Sequence, residues 1–135
     1  MFTVHHSLCC LLEDNVHGSF KTLKLCGNPS VEKITQVYKS NAYTLAYIVD
    51  YCRANRITSY RVSASMFPLL THPLYTEKCL KILESIAPLF KRIDYSGVHL
   101  SCHPDQFVLL SSMNQNVNDN AIRDLNMWSY IVREY

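Results

Sequence analysis

One stretch of the chain decides the interpretation of its fold: Gly97-Val98-His99-Leu100-Ser101-Cys102-His103-Pro104-Asp105-Gln106-Phe107. After the glycine, apolar and polar residues alternate, which is the period of a β-strand with two different faces. The strand ends at His103, because the proline that follows it cannot donate to a hydrogen-bonded ladder. A strand that brings a histidine to its C-terminal tip, with polar and aromatic residues just beyond, predicts one part of a metal-dependent active site.

Two further strands and three helices follow from the same kind of periodicity. A first strand falls within residues 2–12, and a second covers residues 57–63, where Tyr60 and Val62 alternate with Arg61 and Ser63. Apolar residues spaced three and four apart predict helices at about residues 31–55, at about 76–93, and from 118 or 119 to the end. The order β-α-β-α-β-α predicts the α/β class, with a parallel sheet and right-handed crossovers, in a single domain over residues 1–135.

Polar residues mark the expected helix starts. The candidate N-caps of the three helices are, in order, Ser30, Thr76, and Asn118 or Asp119. Pro88 lies inside the second helix, so we expect a kink or an early end just before it.

The composition bounds the class of protein. The chain has 135 residues, of which 48% are hydrophobic, enough for one globular core. A net charge of +2 permits DNA binding without requiring it. The six cysteines form no CxxC pair, so we expect reduced and mostly buried thiols. With neither a secretory signal nor a run of about 18 apolar residues, we expect a cytoplasmic protein, or a nuclear one in a eukaryote, that is not secreted and contacts no membrane.

Two histidines form the candidate metal site. His72 and His103 lie 31 residues apart, each just past the C-terminal end of consecutive strands, and a proline follows each of them. Because the ends of neighbouring parallel strands meet at one sheet edge, both imidazoles could reach one point. Carboxylates would complete such a set for zinc or manganese. The alternative is that both are loop histidines with ordinary hydrogen bonds.

Four other residues have both a functional and a structural interpretation. Gln106 offers donor and acceptor atoms to a base edge, and Phe107 can stack on a base or fill the gap that a displaced base leaves. The alternative is that Phe107 packs its loop onto the sheet. Arg61 could contact a phosphate or form a buried ion pair. Asn41 falls on the apolar stripe of the first helix, where it either reaches toward a site or, as we favour, is satisfied by nearby backbone.

Three runs of sequence resemble the UV-damage endonuclease family: Tyr60-Arg61-Val62-Ser63-Ala64-Ser65-Met66-Phe67-Pro68, Thr71-His72-Pro73, and Leu100-Ser101-Cys102-His103-Pro104-Asp105-Gln106-Phe107. The resemblance implies a TIM barrel and incision of damaged double-stranded DNA on the 5′ side of UV photoproducts. It also implies a cluster of divalent metals, typically manganese, with His72 and His103 as ligands of one metal. Gln106 and Phe107 would probe the damaged strand.

Two departures qualify that resemblance. The first strand, around His5-His6-Ser7, offers neither the Gly-Tyr pair nor the asparagine that the family usually has there. A full barrel takes about 250 residues, so the chain supplies about three of the βα units. We therefore expect it to be inactive alone and to be a truncated product, a fragment or one piece of a split barrel, with an open strand edge that favours association.

Two other functions remain open from sequence. The chain could belong to another xylose-isomerase-like barrel metalloenzyme, such as an AP endonuclease or a sugar isomerase, that shares the two histidines. It could also be a non-catalytic remnant.

Overall fold

A computed structural model describes residues 6–9, 12, 18–104 and 108–134. Three strands form one parallel sheet in the order β1 (Ser7–Cys9), β2 (Ser59–Ser63), β3 (His99–His103). Three helices follow them in turn, α1 (Val31–Ala54), α2 (Thr76–Lys91) and α3 (Gln115–Glu134), and a short 3-10 turn spans Ala64–Met66. The predicted β-α-β-α-β-α order and the parallel sheet are confirmed.

The two faces of the sheet have different chemistry. The apolar face carries Leu8, Tyr60 and Leu100 in one register row, and Val62 with Cys102 in another. These side chains pack into the core with the buried stripes of α1 and α2. The opposite face carries polar and small residues: Ser7, Cys9, Ser59, Arg61, Ser63, His99, Ser101 and His103. The alternation predicted for β2 and β3 is therefore present.

An aromatic cluster centred on Phe67 joins the helices below the sheet. Its ring centroid lies 5.3 Å from that of Tyr38 on α1, 5.8 Å from Phe90 on α2 and 5.9 Å from Trp128 on α3. Such offset and tilted pairs add to the burial of large apolar area. The cluster fixes the rotation of all three helices around the segment that follows β2.

The start of α1 is as predicted. The Ser30 side chain accepts a hydrogen bond from the Lys33 backbone N–H at 3.2 Å, which satisfies one of the open donors of the first turn. The pKa of Glu32 is lowered by a backbone hydrogen bond and then by its hydrogen bond with Ser30.

The predicted N-caps of α2 and α3 are wrong, although α2 begins at residue 76 as its apolar spacing predicts. Tyr75 occupies the N-cap of α2 without a side-chain cap, and Thr76 is already helical. The Thr76 hydroxyl donates instead to the carbonyls of Leu70 and His72, because the preceding loop folds back within its reach. In α3 the helix begins three or four residues early. The Asn114 side chain accepts from the Asn116 N–H, and the Asn118 side chain bonds to the backbone of Ser112 instead of capping the helix.

An early end of α2 just before Pro88 was one of the two expectations for this proline, and it is wrong. The helix continues to Lys91. The proline leaves the Glu84 carbonyl without an in-helix donor. Both residues are exposed, so water can take that donor's place. The cost is therefore too small to end a helix whose opposite face is buried.

The cysteines agree only in part with expectation. Cys52 and Cys79 are buried, whereas Cys9 and Cys26 are exposed, and Cys102 is partly exposed. Within residues 6–9, 12, 18–104 and 108–134, none of the helices has both the length and the apolarity to span a membrane.

Candidate functional site

A cleft of about 650 Å³ opens at the C-terminal edge of the sheet. The loop before α1, the segment after β2, the end of β3 and one face of α3 surround it. The residues that line it are Thr22, Leu23, Ser63, Ala64, Ser65, Phe67, Pro68, Leu69, Leu70, Thr71, His103, Pro104, Val108, Asp124 and Trp128. Catalytic groups of parallel α/β proteins collect at this edge, so the cleft is the candidate site.

His103 stands at the rim of the cleft, as its position in the sequence predicts. It is the last residue of β3, is solvent-exposed, and pairs in register with Ser63 of β2. The Ser63 hydroxyl lies 2.9 Å from that of Ser65, and it also accepts from the Ser65 N–H. The imidazole thus sits on a rigid strand end beside two hydroxyl groups.

His72 lies close to the cleft but has a different environment. Among the described residues that line the cleft, its neighbour Thr71 is present and His72 is not. Its Nδ1 accepts a long hydrogen bond from the Leu74 N–H at 3.3 Å, and its ring packs 5.5 Å from that of Tyr75. A neutral imidazole that accepts at Nδ1 carries its proton on Nε2. Metal binding through Nε2 therefore requires this contact to break.

The segment that carries His72 is held in a strained conformation by surrounding groups. Leu69 has a φ of 68°, a left-handed value that a branched side chain rarely adopts. The Tyr38 hydroxyl donates to the Pro68 carbonyl at 3.0 Å, and burial raises the pKa of Tyr38 well above its ordinary value. The Thr76 hydroxyl fixes Leu70 from the other side. Strain that the surroundings over-determine in this way is common beside functional clefts.

Asn41 builds one wall of the cleft rather than lining it. Its buried amide donates to the carbonyls of Lys21 and Met66 at 2.9 and 2.8 Å, and its oxygen accepts from the Lys21 N–H at 2.7 Å. All these partners are backbone groups, which agrees with the interpretation we favoured from sequence. The amide ties residues 21–23 to the segment after β2, and both segments face the cleft.

Asp124 is a cleft residue that the sequence analysis did not identify. It lies on α3 in line with three buried side chains, Ala121, Trp128 and Ile131. The helical spacing puts this carboxylate on the stripe of α3 that is otherwise apolar. That unusual position is the sequence feature that could have identified Asp124 as a site residue. Docking of Trp128 on Phe67 turns this stripe, and hence Asp124, toward the cleft.

Arg61 does not form the buried ion pair that was one of its two predicted roles. It is solvent-exposed in the centre of the polar sheet face, because β2 directs Tyr60 and Val62 into the core. Gln106 and Phe107, the predicted lesion contacts, lie outside the described residues, as does Asp105.

The imidazole groups of His103 and His72 suit part of a metal-binding site. Imidazole nitrogens suit manganese and zinc, and His103 presents one at the cleft rim. Over the residues that the structure describes, no group of three or more His, Cys, Asp or Glu side chains could hold a metal ion.

Comparisons with known proteins address family and fold. A model of the family described as UV-endonuclease UvdE matches residues 15–134. The UV DNA damage endonuclease of Deinococcus radiodurans is 34% identical over 95 residues, which cover 67% of this chain and 31% of that protein. The UV DNA damage endonuclease of Bacillus anthracis is 32% identical over 106 residues, which cover 76% of this chain and 32% of that protein.

A solved structure gives the same fold. The crystal structure of SacUVDE aligns with a TM-score of 0.74 at 24% identity, over 98% of this chain and 46% of that chain. This likeness confirms the predicted partial βα barrel. The chain spans about a third of the length of the curated relatives it matches.

Proposed function

Because this chain belongs to the UV-endonuclease UvdE family, we propose that it forms the N-terminal part of a DNA-repair nuclease that incises damaged double-stranded DNA 5′ to UV photoproducts. The observation that carries the proposal is the family match over residues 15–134, which spans both strand ends and the cleft between them. The curated relatives named above are UV DNA damage endonucleases, which favours this activity over that of a sugar isomerase.

The proposed cofactor is a divalent metal ion, manganese or else zinc, with His103 and His72 as ligands. When bound, such an ion would lower the pKa of a water molecule and neutralise charge on a phosphate. His103 is already fixed at the end of β3, whereas His72 must first give up its contact with the Leu74 N–H. Over the described residues no group of three or more His, Cys, Asp or Glu could hold the ion. We propose that the remaining ligands belong to a part of the barrel that this chain does not supply, so that the 135-residue chain alone binds metal weakly and cuts no DNA.

The proposed lesion contact is the pair Gln106 and Phe107. They follow Pro104, which lines the cleft, and precede Val108, which also lines it. An amide can bond to a base edge, and an aromatic ring can occupy the space of a displaced base. The pair follows the proposed ligand His103 by three and four residues in sequence, and we propose that lesion recognition and incision act on neighbouring nucleotides.

Titration calorimetry with Mn²⁺ tests the metal assignment. We expect a weak binding heat for the wild-type chain, a loss of that heat in His103→Ala, and retention in His99→Ala, which removes an imidazole from the other end of the same strand. Equal heats for wild type and His103→Ala would contradict the assignment.

A chimera tests the activity. Residues 15–134 would replace the matching segment of the Deinococcus radiodurans relative, and incision would be measured on a duplex with a single photoproduct in Mn²⁺. We expect incision 5′ to the lesion, loss of incision in His103→Ala, and reduced incision in Phe107→Ala with unchanged metal content. A folded chimera that contains metal but does not incise the duplex 5′ to the photoproduct would overturn the proposal.

A further inference from the structure

The polar face of the sheet holds a cation among hydrogen-bond donors. Arg61 is at its centre, paired in register with Cys9 of β1 and Ser101 of β3. Along its own strand, Ser59 and Ser63 lie two residues away on the same face. In the described part of the chain, none of the residues on this face is a carboxylate.

An arginine in this position calls for an anionic partner. Arg61 is solvent-exposed here, but both faces of a parallel sheet are normally covered, and a charge that becomes covered needs a partner of opposite charge. The other side chains on this face of the described strands are hydroxyls, the imidazoles of His99 and His103 and the Cys9 thiol, and none of them is a carboxylate. The chemistry of the face is therefore that of an oxyanion site.

The position of Arg61 relative to His103 indicates which anion the site would bind. Ser63 pairs with His103, so Arg61 is a diagonal neighbour of His103, one step toward the N-terminal edge. Diagonal neighbours on one face lie about 7–8 Å apart, within reach of a long side chain. A guanidinium binds phosphate in a bidentate manner, and hydroxyl groups supply further donors.

We propose that Arg61, together with the hydroxyls of Ser63 and Ser101, forms a phosphate-binding site on the polar sheet face beneath His103. That the bound phosphate belongs to DNA rests on the proposed function. The affinity of the site for free phosphate does not. Arg61 would hold a phosphate on the polar sheet face, one register row below the row of Ser63 and His103, the two residues of this face that line the cleft.

NMR of the arginine side-chain Nε–Hε groups in the 135-residue chain tests this site. Inorganic phosphate would be added at constant ionic strength, with chloride as the reference salt. We expect a saturable shift of the Arg61 signal and none at Arg123, an exposed residue of α3 in a separate groove beside Leu80 of α2. Arg61→Lys should bind phosphate about tenfold more weakly, because it loses bidentate geometry. An unmoved Arg61 signal, or equal shifts at both arginines, would overturn the proposal.

A second arm separates free phosphate from DNA. The affinity for a short fluorescent duplex would be measured over a range of salt concentrations for Arg61→Gln and Arg123→Gln. Loss of one phosphate contact should reduce the slope of log Kd against log salt by about one in Arg61→Gln only. Equal slopes in the two variants would show that the phosphate bound at Arg61 is not a DNA phosphate. The Mn²⁺ heat should persist in Arg61→Gln, so failure here is distinguishable from failure of the metal assignment.

Discussion

At the scale of single residues, Asn41 does the most to shape the cleft. One buried amide satisfies three backbone groups from two segments that are 20 and 25 positions away in sequence. A buried polar group left without its partner costs about 1–3 kcal/mol. The wall of the cleft therefore depends on a side chain that does not line it.

Asn41→Ala should lower the free energy of unfolding by about 3 kcal/mol, because it leaves backbone groups of Lys21 and Met66 unsatisfied and opens a small cavity. Urea unfolding followed by Trp128 fluorescence measures this. Asn126→Ala, an exposed site on α3, is the control and should change stability by less than about 0.5 kcal/mol. Similar losses in the two variants would contradict the tie between the two segments.

Asp94 gives the molecule part of its acid sensitivity. Hydrogen bonds from the side chain and the backbone N–H of Ser96 lower its pKa below the ordinary value of 3.8, and Arg53 of α1, 2.9 Å away, lowers it further. The folded pKa lies below the unfolded one, so the stabilisation is present above about pH 4 and is lost as pH falls through the folded value.

The pH dependence of unfolding checks this assignment. Asp94→Asn should flatten the fall of the unfolding free energy below about pH 4. Asp50→Asn, which removes the same charge beside the same arginine at 3.6 Å, should leave more of that fall in place. An unchanged acid limb in Asp94→Asn would rule out this origin.

At the scale of elements, the sequence predicted those helix bounds that depend on interactions within the helix itself. The bounds of α1 followed from apolar spacing and the Ser30 cap, both of which act within one helix. The N-cap of α2 did not, because the acceptors of the Thr76 hydroxyl are loop carbonyls that come near only in the folded chain. Asp124 was missed for a related reason, since its direction depends on where Trp128 docks.

Pro88→Ala should raise the free energy of unfolding by about 1 kcal/mol. The helix already runs through this exposed position, so alanine restores a backbone N–H to the Glu84 carbonyl without a change in packing. Chemical unfolding and the protection of the residue 88 amide measure the two effects. Lys91→Ala in the same helix is the control. Destabilisation by Pro88→Ala would show that the proline ring itself makes a needed contact.

At the scale of the whole molecule, one side of the fold is left open. An apolar cleft of about 320 Å³ lies between β3 and α3, where Val98, Leu100, Trp128 and Val132 are among its lining residues. In the described sheet, β3 has one strand neighbour, β2. Open strand edges beside apolar surface favour association between chains.

Sedimentation velocity should therefore show association of the chain that grows with concentration. Val132→Lys, at a side chain that is 60% exposed, should weaken association with little effect on stability. Tyr130→Lys changes an exposed residue on the opposite side of α3 and should leave association unchanged. A monomer at every concentration would contradict this prediction.

The parallel order of the strands also sets the timing of folding. Ser7 pairs with Ser59, about 50 residues away, and Ser59 pairs with His99, about 40 residues away, so every strand pairing must first close a long loop. Hydrogen bonds within helix α1 join residues that are close in sequence, and α1 and α2 share the buried stripes of the core. During refolding, helical amides should therefore gain protection before those of β2, and the polar sheet face with Arg61 should be the last surface to acquire its shape.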